Sequence, residues 1–410
     1  MRSVAFSIPD DVIAVRNGIE AFLRKEVIPR HEEHHELLSN QRLLYRVDGR
    51  FCDEALALIR RVRMASADAG YYNMCVPPEI GGAGMGLLAY YVAWECIFRL
   101  CGGHHWLGTY VISHWAFGPS RVLLEVSPKA REEMLPAMIA GEKSMCFGLS
   151  EPGAGSDAAM LQTRATADDG GWRLNGRKIW ITNAPYADYA LIFAITDPER
   201  ASRRKGGISA FLIPTDTPGF EIENVIRMYG EIGGNEGEVV LEDVRVEPHQ
   251  LVGELHEGFR LGVLGVSLGR VYNSARAVGS ARWALKRAIE YSKVREVFGN
   301  AISKYQGIMF PLAESATEVH AAHLMGLNTT MLLDGGKPAI KELSMMKSYS
   351  VEVGARAIDR VIQAHGAIGF TNEMGLTEAW KYLRLVNVAD GTNEILRRTI
   401  LHRMLGGDLD

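Results

Sequence analysis

The hydrophobic period changes twice along this chain, and that change restricts the fold more than any other feature. From Asp10 to about Lys143 apolar residues recur at helical spacing, as in Val12, Val15, Ile19, Phe22 and Leu23, and again in Ala55, Leu58, Ile59 and Val62. Between about Ser144 and Gly253 the period is two: Trp172, Leu174, Ile179 and Ile181 alternate with polar partners, and Asn175-Gly176 predicts a hairpin turn between them. Further strands are expected over 190–196, 207–214 and 238–246. After Glu257 helical spacing returns, with Leu261, Leu264, Leu268 and Val271 on one stripe and long helical segments predicted over 273–333 and 339–368.

This order predicts a mainly helical α+β chain with a helical domain over 1–143, a compact β domain over 144–253 and a helical bundle over 254–410. The last is expected to hold four helices, because its long segments are joined by loops as short as Asp334-Gly335-Gly336-Lys337-Pro338. Alternating βαβ units are missing, which removes a Rossmann fold. Val76-Pro77-Pro78-Glu79-Ile80-Gly81-Gly82 reads as a loop, since two prolines and the glycines after them do not continue a helix.

Charge and cysteine usage narrow the function. With 45 Lys+Arg against 49 Asp+Glu the chain has no basic excess, so neither a nucleic-acid nor a membrane partner is expected. The start lacks the basic flank and apolar core of a signal peptide, and no stretch approaches the ~20 apolar residues of a membrane span. Five cysteines without metal spacing suggest reduced thiols and a cytoplasmic location. His31, His34 and His35 lie among Glu32, Glu33 and Glu36, which reads as a solvated polar face, and no metal site is expected. His104 and His105 read as packing residues, and Gly82-Ala83-Gly84-Met85-Gly86 lacks the spacing of a dinucleotide loop.

Two segments carry chemistry. Phe147-Gly148-Leu149-Ser150-Glu151-Pro152-Gly153-Ala154-Gly155-Ser156-Asp157 is a tight loop whose exposed N–H groups and hydroxyls suit an electron-rich ring or a phosphate. Glu151 and Asp157 within it read as turn and structural groups. Lys178-Ile179-Trp180-Ile181-Thr182-Asn183-Ala184 then offers a flat apolar wall beside a hydroxyl donor. In order and spacing these segments resemble the signature of the acyl-CoA dehydrogenase family. The resemblance continues through Arg295-Glu296-Val297-Phe298-Gly299, Tyr305-Gln306, Gln363-Ala364-His365-Gly366 and Asp390-Gly391-Thr392-Asn393-Glu394. It covers nearly the whole chain and implies that family's fold, with a β-barrel-like central domain.

The resemblance implies FAD as cofactor. Phe147, Leu149 and Ser150 would line the flavin, Trp180 would cover the isoalloxazine, and Thr182 would hydrogen-bond its N5 edge. Gly155 and Ser156 would hold the pyrophosphate or the thioester arm of the substrate. Arg295, Phe298 and Gln306 of one chain, with Gln363 and Gly366 of its neighbour, match the contacts to the ADP half, and Thr392 and Glu394 match a loop returning to the cofactor. A shared site implies an oligomer, a homotetramer built as a dimer of dimers. Substrate contacts are expected from Ser156, Arg270 and Gly391.

The implied reaction takes a proton from the α-carbon of an acyl-CoA thioester and passes the β-hydride to flavin N5, giving a trans-2-enoyl-CoA, with an electron-transfer flavoprotein as reoxidant. The base position before Gly-Thr holds Asp390, where most members carry Glu. A second subset of the family places its Glu before an Arg in the first long C-terminal helix, and here that place is Gly269, before Arg270. Asp390 is therefore the expected base. Its alternative role is to cap the helix beginning near Thr392. Because related flavoproteins with Asp here include nitroalkane oxidase, a flavin oxidase or monooxygenase, or another non-dehydrogenase member, stays open beside the dehydrogenase. A DNA-associated branch of the family carries a basic C-terminal extension, whereas this chain ends Gly406-Gly407-Asp408-Leu409-Asp410. Ala389 beside the base, where many relatives place Tyr, suggests a roomier pocket.

Overall fold

A computed structural model describes residues 7–409. In chain order come helices α1 (Asp10–Phe22), α2 (Asp53–Asp68), α3 (Leu87–Cys101) and α4 (Pro128–Ile139). Strands follow as β1 (Met145–Gly148), β2 (Arg164–Asp168), β3 (Gly171–Thr182), β4 (Tyr189–Ile195), β5 (Ile208–Pro214), β6 (Phe220–Ile226), β7 (Glu236–Val246) and β8 (Leu251–Val252). The chain then forms α5 (Phe259–Val294), a short pair β9 (Glu296–Val297) and β10 (Asn300–Ala301), α6 (Gln306–Asp334), α7 (Ile340–His365), α8 (Leu376–Val386) and α9 (Asn393–Leu405). These residues divide into two compact units. A sheet unit comprises His31–Met85 and Tyr110–Leu268; a helical unit comprises the chain up to Arg30, Gly86–Thr109 and Gly269–Asp410.

In the sheet unit the strands run in the order β6-β7-β3-β2-β4-β5-β8, with β1 parallel to β4. Strands β4 and β5 bury almost every residue, which is why both read as continuous apolar runs rather than alternating ones. The core collects Leu174 and Ile181 of β3, Ile192 of β4, Phe211 of β5 and Val239, Leu241 and Val244 of β7.

The hairpin expected at Asn175-Gly176 is not there. Strand β3 runs straight through both residues, and the turn that starts it is Asp169-Gly170, both left-handed at φ 40° and 75°. Such a pair matches the tight two-residue turn that follows strand twist. Asn175 instead exchanges hydrogen bonds with Asp243, at 2.9 Å each way. Gly176 sits at a register shift between β3 and β7, where a Cβ would overlap the Thr163 hydroxyl.

In the helical unit α5, α6, α7 and α8 enclose Trp283, Leu312, Ile358, Val361, Leu376 and Leu383. The segment expected to be helical over 273–333 is broken at 295–305 by the β9–β10 pair, because Phe298 and Gly299 both adopt positive φ, 49° and 77°. Such a turn cannot continue a helix. His31, expected on a solvated face, is buried at 3% exposure: it lies four residues after buried Val27 and so falls on the apolar stripe of its helical run. Among the described residues no helix is long and apolar enough to cross a membrane.

Candidate active site

In the helical unit the sequence-expected base lies in the turn between α8 and α9. Asp390 has a left-handed backbone, φ 54°, an unfavourable conformation for a residue with a Cβ. Neighbouring groups hold it there. Arg270 Nε donates to the Asp390 carbonyl at 3.1 Å, and Lys347 Nζ donates to the Gly391 carbonyl at 3.0 Å and to Asn393 Oδ1 at 3.2 Å. Asn393 Nδ2 reaches Asn387 Oδ1 at 2.7 Å and Glu352 Oε1 at 2.9 Å, closing the loop onto α7. The cap of α9 is Thr392, whose hydroxyl accepts from the Ile395 N–H. The Asp390 carboxyl therefore does not cap the helix.

That carboxyl packs against α5. Asn273 Nδ2 donates to Oδ2 at 2.7 Å, and a Cβ on Gly269 would overlap the same oxygen. The two places where a base could stand, 269 and 390, thus compete for one space, and glycine at the first makes room for the carboxyl of the second. Among the described residues neither Oδ1 nor the Asp390 N–H has a hydrogen-bond partner. Burial pushes the Asp390 carboxyl up to about 6, against the opposing pull of Lys347, Arg270 and the Asn273 amide. Burial likewise pushes Lys347 down to about 8, opposed by Asp390.

In the sheet unit Trp180 is the outlier. Its φ is 61° and it is 55% exposed, inside strand β3. Between the pairs Lys178↔Val239 and Ile181↔Gly237 strand β3 holds one residue more than β7, so Ile179-Trp180 forms a bulge that turns the indole outward. Bulky residues in this conformation are uncommon and cluster at functional sites. The bulge also frees the Ile179 N–H, which donates to the Ser150 carbonyl at 3.0 Å.

Beneath this link lies a buried ion pair. Lys178 Nζ donates to Glu151 Oε1 and to the Phe193 carbonyl, both at 2.7 Å, and the Glu151 carboxylate also accepts from the N–H groups of Gln162 and Thr163 and from the Thr163 hydroxyl. Burial works to raise Glu151, but Lys178 and these donors outweigh it and hold the carboxyl below its ordinary value. The pair joins the 147–151 segment to β3 at the residue before the bulge.

The remaining expected positions differ in exposure. Phe147 and Leu149 are buried, the former edge-on to Trp115 at 4.7 Å. Ser150 and Thr182 are half-buried, while Gly155 and Ser156 lie on the surface, and open space surrounds the place a Gly155 side chain would take. In the helical unit Arg295, Gln306, Gln363, Gly366 and Glu394 are exposed, and Phe298 projects at 95% exposure from the β9–β10 turn. Within the sheet unit Trp180 offers an outward aromatic face of a kind suited to a flavin ring; within the helical unit, separately, Phe298 offers an aromatic face and Arg295 a guanidinium with no carboxylate partner among the described residues, groups of a kind suited to a nucleotide diphosphate.

Asn273 and Lys347 are not apparent from motif spacing, and Asn393 lies inside the motif beginning at Asp390 without any sign of its contacts to Lys347 and Glu352. Lys347 does leave a trace, as the one basic residue on the apolar stripe Leu343, Met346, Val351 and Ile358 of α7. Asn273 leaves another, four residues after Gly269 and hence on the same helix face.

Models of the acyl-CoA dehydrogenase N-terminal, middle and C-terminal domains match residues 9–142, 146–244 and 256–405. The chain is 32% identical over 400 residues to a probable acyl-CoA dehydrogenase, YngJ, of Bacillus subtilis, covering 98% of this chain and 99% of that one. It is 32% identical over 339 residues to the caffeyl-CoA reductase-Etf complex subunit CarC of Acetobacterium woodii, covering 83% and 88%. Among solved structures, butyryl-CoA dehydrogenase from Megasphaera elsdenii superposes with a TM-score of 0.82 at 27% identity, over 98% of this chain and all of that one. Matched from residue 9 to residue 405 by consecutive domains of a single type, the chain belongs to the acyl-CoA dehydrogenase family, FAD-binding oxidoreductases acting on CH–CH groups.

Proposed function

We propose that this protein removes a proton and a hydride from adjacent carbons of an acyl-CoA, giving the trans-2-enoyl-CoA, with Asp390 as the base. The observation that carries this reading is the Asp390 carboxyl itself, half-enclosed, bound at Oδ2 and unbound at Oδ1, and ionised above pH about 6. Asp390 Oδ1 accepts the α-proton. The Asp390 N–H, without another acceptor among the described residues, donates to the thioester carbonyl and stabilises the charge that gathers there, which is normally the largest catalytic contribution. Arg270 and Gly391 border the thioester, and Ser156 contributes to binding its CoA arm. FAD, when bound, supplies the hydride acceptor.

Trp180, Ser150 and Thr182 orient the flavin ring, together with the backbone at Phe147 and Leu149. Gly155 and Ser156 approach its pyrophosphate. Arg295, Phe298 and Gln306, with Gln363, Gly366, Thr392 and Glu394, hold the rest of the cofactor in a homotetramer whose chains share sites. An electron-transfer flavoprotein is the proposed reoxidant, in keeping with the Etf complex to which the CarC relative belongs.

Anaerobic mixing of the yellow holoenzyme with straight, branched, cyclic and aromatic acyl-CoA esters tests this. At least one should bleach the flavin, and the Asp390→Asn variant should keep its FAD and lose the bleaching. Full bleaching by that variant removes Asp390 from the mechanism. Turnover with oxygen and peroxide release, with no CoA ester active, replaces the dehydrogenase by an oxidase.

A further inference from the structure

An aspartate in a glutamate's place is shorter by one methylene, yet the helical unit does not leave its carboxyl loose. Two residues one turn apart on α5 face it. Gly269 lacks the Cβ that would overlap Asp390 Oδ2, so the carboxyl lies directly against the helix. Asn273, 4% exposed, donates its Nδ2 hydrogen to that oxygen at 2.7 Å. Neither contact merely repeats what fixes the backbone, because Arg270 binds the Asp390 carbonyl and Lys347 the Gly391 carbonyl. Oδ2 is therefore occupied while Oδ1 is free among the described residues.

We propose that Asn273 is a positioning residue, which ties Asp390 Oδ2 to α5 and thereby presents Oδ1 as the proton-accepting atom. The proposal rests on the reading of Asp390 as base. An amide is well suited to such a tie, since it donates to the carboxylate, cannot titrate, and fixes the rotation of a side chain that has only two torsions. The charged and titratable groups around the carboxyl, Arg270 and Tyr272 from α5 and Lys347 from α7, make no hydrogen bond to its side chain. Lys347 in turn feels Glu352 of α7 and Glu394 of α9. Among the described residues only Asn273 fixes the carboxyl's orientation directly, and a displacement of ~1 Å at a reacting group costs ~100-fold in rate.

The test uses the FAD-loaded full chain with Asn273→Leu, which keeps the shape and removes the donor, and Asn273→Ala as a second variant should the first lose its cofactor. Infrared difference spectra across a pH series follow the protonated Asp390 carboxyl, identified by its loss in Asp390→Asn. Its midpoint should rise by about 1 unit in the Asn273 variants, since a hydrogen bond to an ionised group has been removed. At about pH 8, where the base is ionised in every protein, anaerobic bleaching by the same panel of CoA esters should fall about 10- to 100-fold. An unshifted midpoint in both Asn273 variants overturns the proposal even if Asp390→Asn abolishes bleaching. A shifted midpoint with undiminished bleaching by Asp390→Asn sinks the base reading and the role of Oδ1, and leaves only the tie between the two side chains.

Discussion

Replacing Asp390 by Asn should make the protein more stable at neutral pH, by an amount that follows from where the carboxyl sits. Its ordinary value of 3.8 is raised by burial to about 6, close to 2 units, and each unit corresponds to ~1.4 kcal/mol, or ~3 kcal/mol in all. The folded state holds this proton more tightly than the unfolded state. The contribution is therefore fully present below pH about 4 and lost as the pH rises through about 6. The amide of the Asp390→Asn variant does not titrate, so the gap between variant and wild type should widen toward high pH. Roughly half of the change should fall between pH ~5 and pH ~8. Urea unfolding of both proteins, saturated with FAD at one protein concentration, measures the gap while holding ligand and assembly effects constant. A gap that stays flat across this range, or widens toward acid, refutes the placement of the carboxyl in a desolvated seat.

Three further outcomes follow from individual contacts. Gly269→Ala puts a methyl group where Asp390 Oδ2 lies, so bleaching by acyl-CoA should fall about 100-fold with FAD retained; a wild-type rate contradicts the shared-space geometry. Lys178→Met leaves Glu151 buried without its ion partner, and unfolding free energy should drop by about 3–5 kcal/mol with loss of FAD on gel filtration, whereas unchanged urea midpoints contradict it. Trp180→Gly removes an exposed ring from a left-handed backbone that glycine adopts freely, so stability should change by less than about 1 kcal/mol while FAD dissociates more readily, measured by fluorescence of released flavin; tight FAD retention speaks against the ring-covering role.

The succession of helical, alternating and helical periods is legible because burial imposes it residue by residue: Ala55, Leu58, Ile59 and Val62 are buried along one face of α2, and Leu174 and Ile181 are buried in β3. Local sequence does not distinguish one turn signal from another. Asn175-Gly176 and Asp169-Gly170 carry the same local preference for positive φ, and only the pairing of β3 with its neighbours decides between them: with β7 the former stays inside the strand opposite an extra residue of β7, and with β2 the latter becomes the turn. The interruption at 295–305 escaped for the converse reason, since Phe298 reads as an apolar residue continuing a helix until its left-handed backbone and full exposure are seen.

Motif spacing pointed to Asp390 but was silent on how a shortened acid is held, because that depends on contacts 44 to 120 residues away in sequence. Those contacts fall into two sets with separate duties. Arg270 and Lys347 grip the successive carbonyl oxygens of Asp390 and Gly391, holding the left-handed backbone in place, while Gly269 and Asn273 fix where the carboxyl points. A longer acid at 390 would meet α5 with one methylene more than the seat at Gly269 and Asn273 accommodates. A side chain at 269 would evict the present one. The acid's length and the identities of residues 269 and 273 are thus a single choice, and changing one of them alone should cost more activity than changing the matched set.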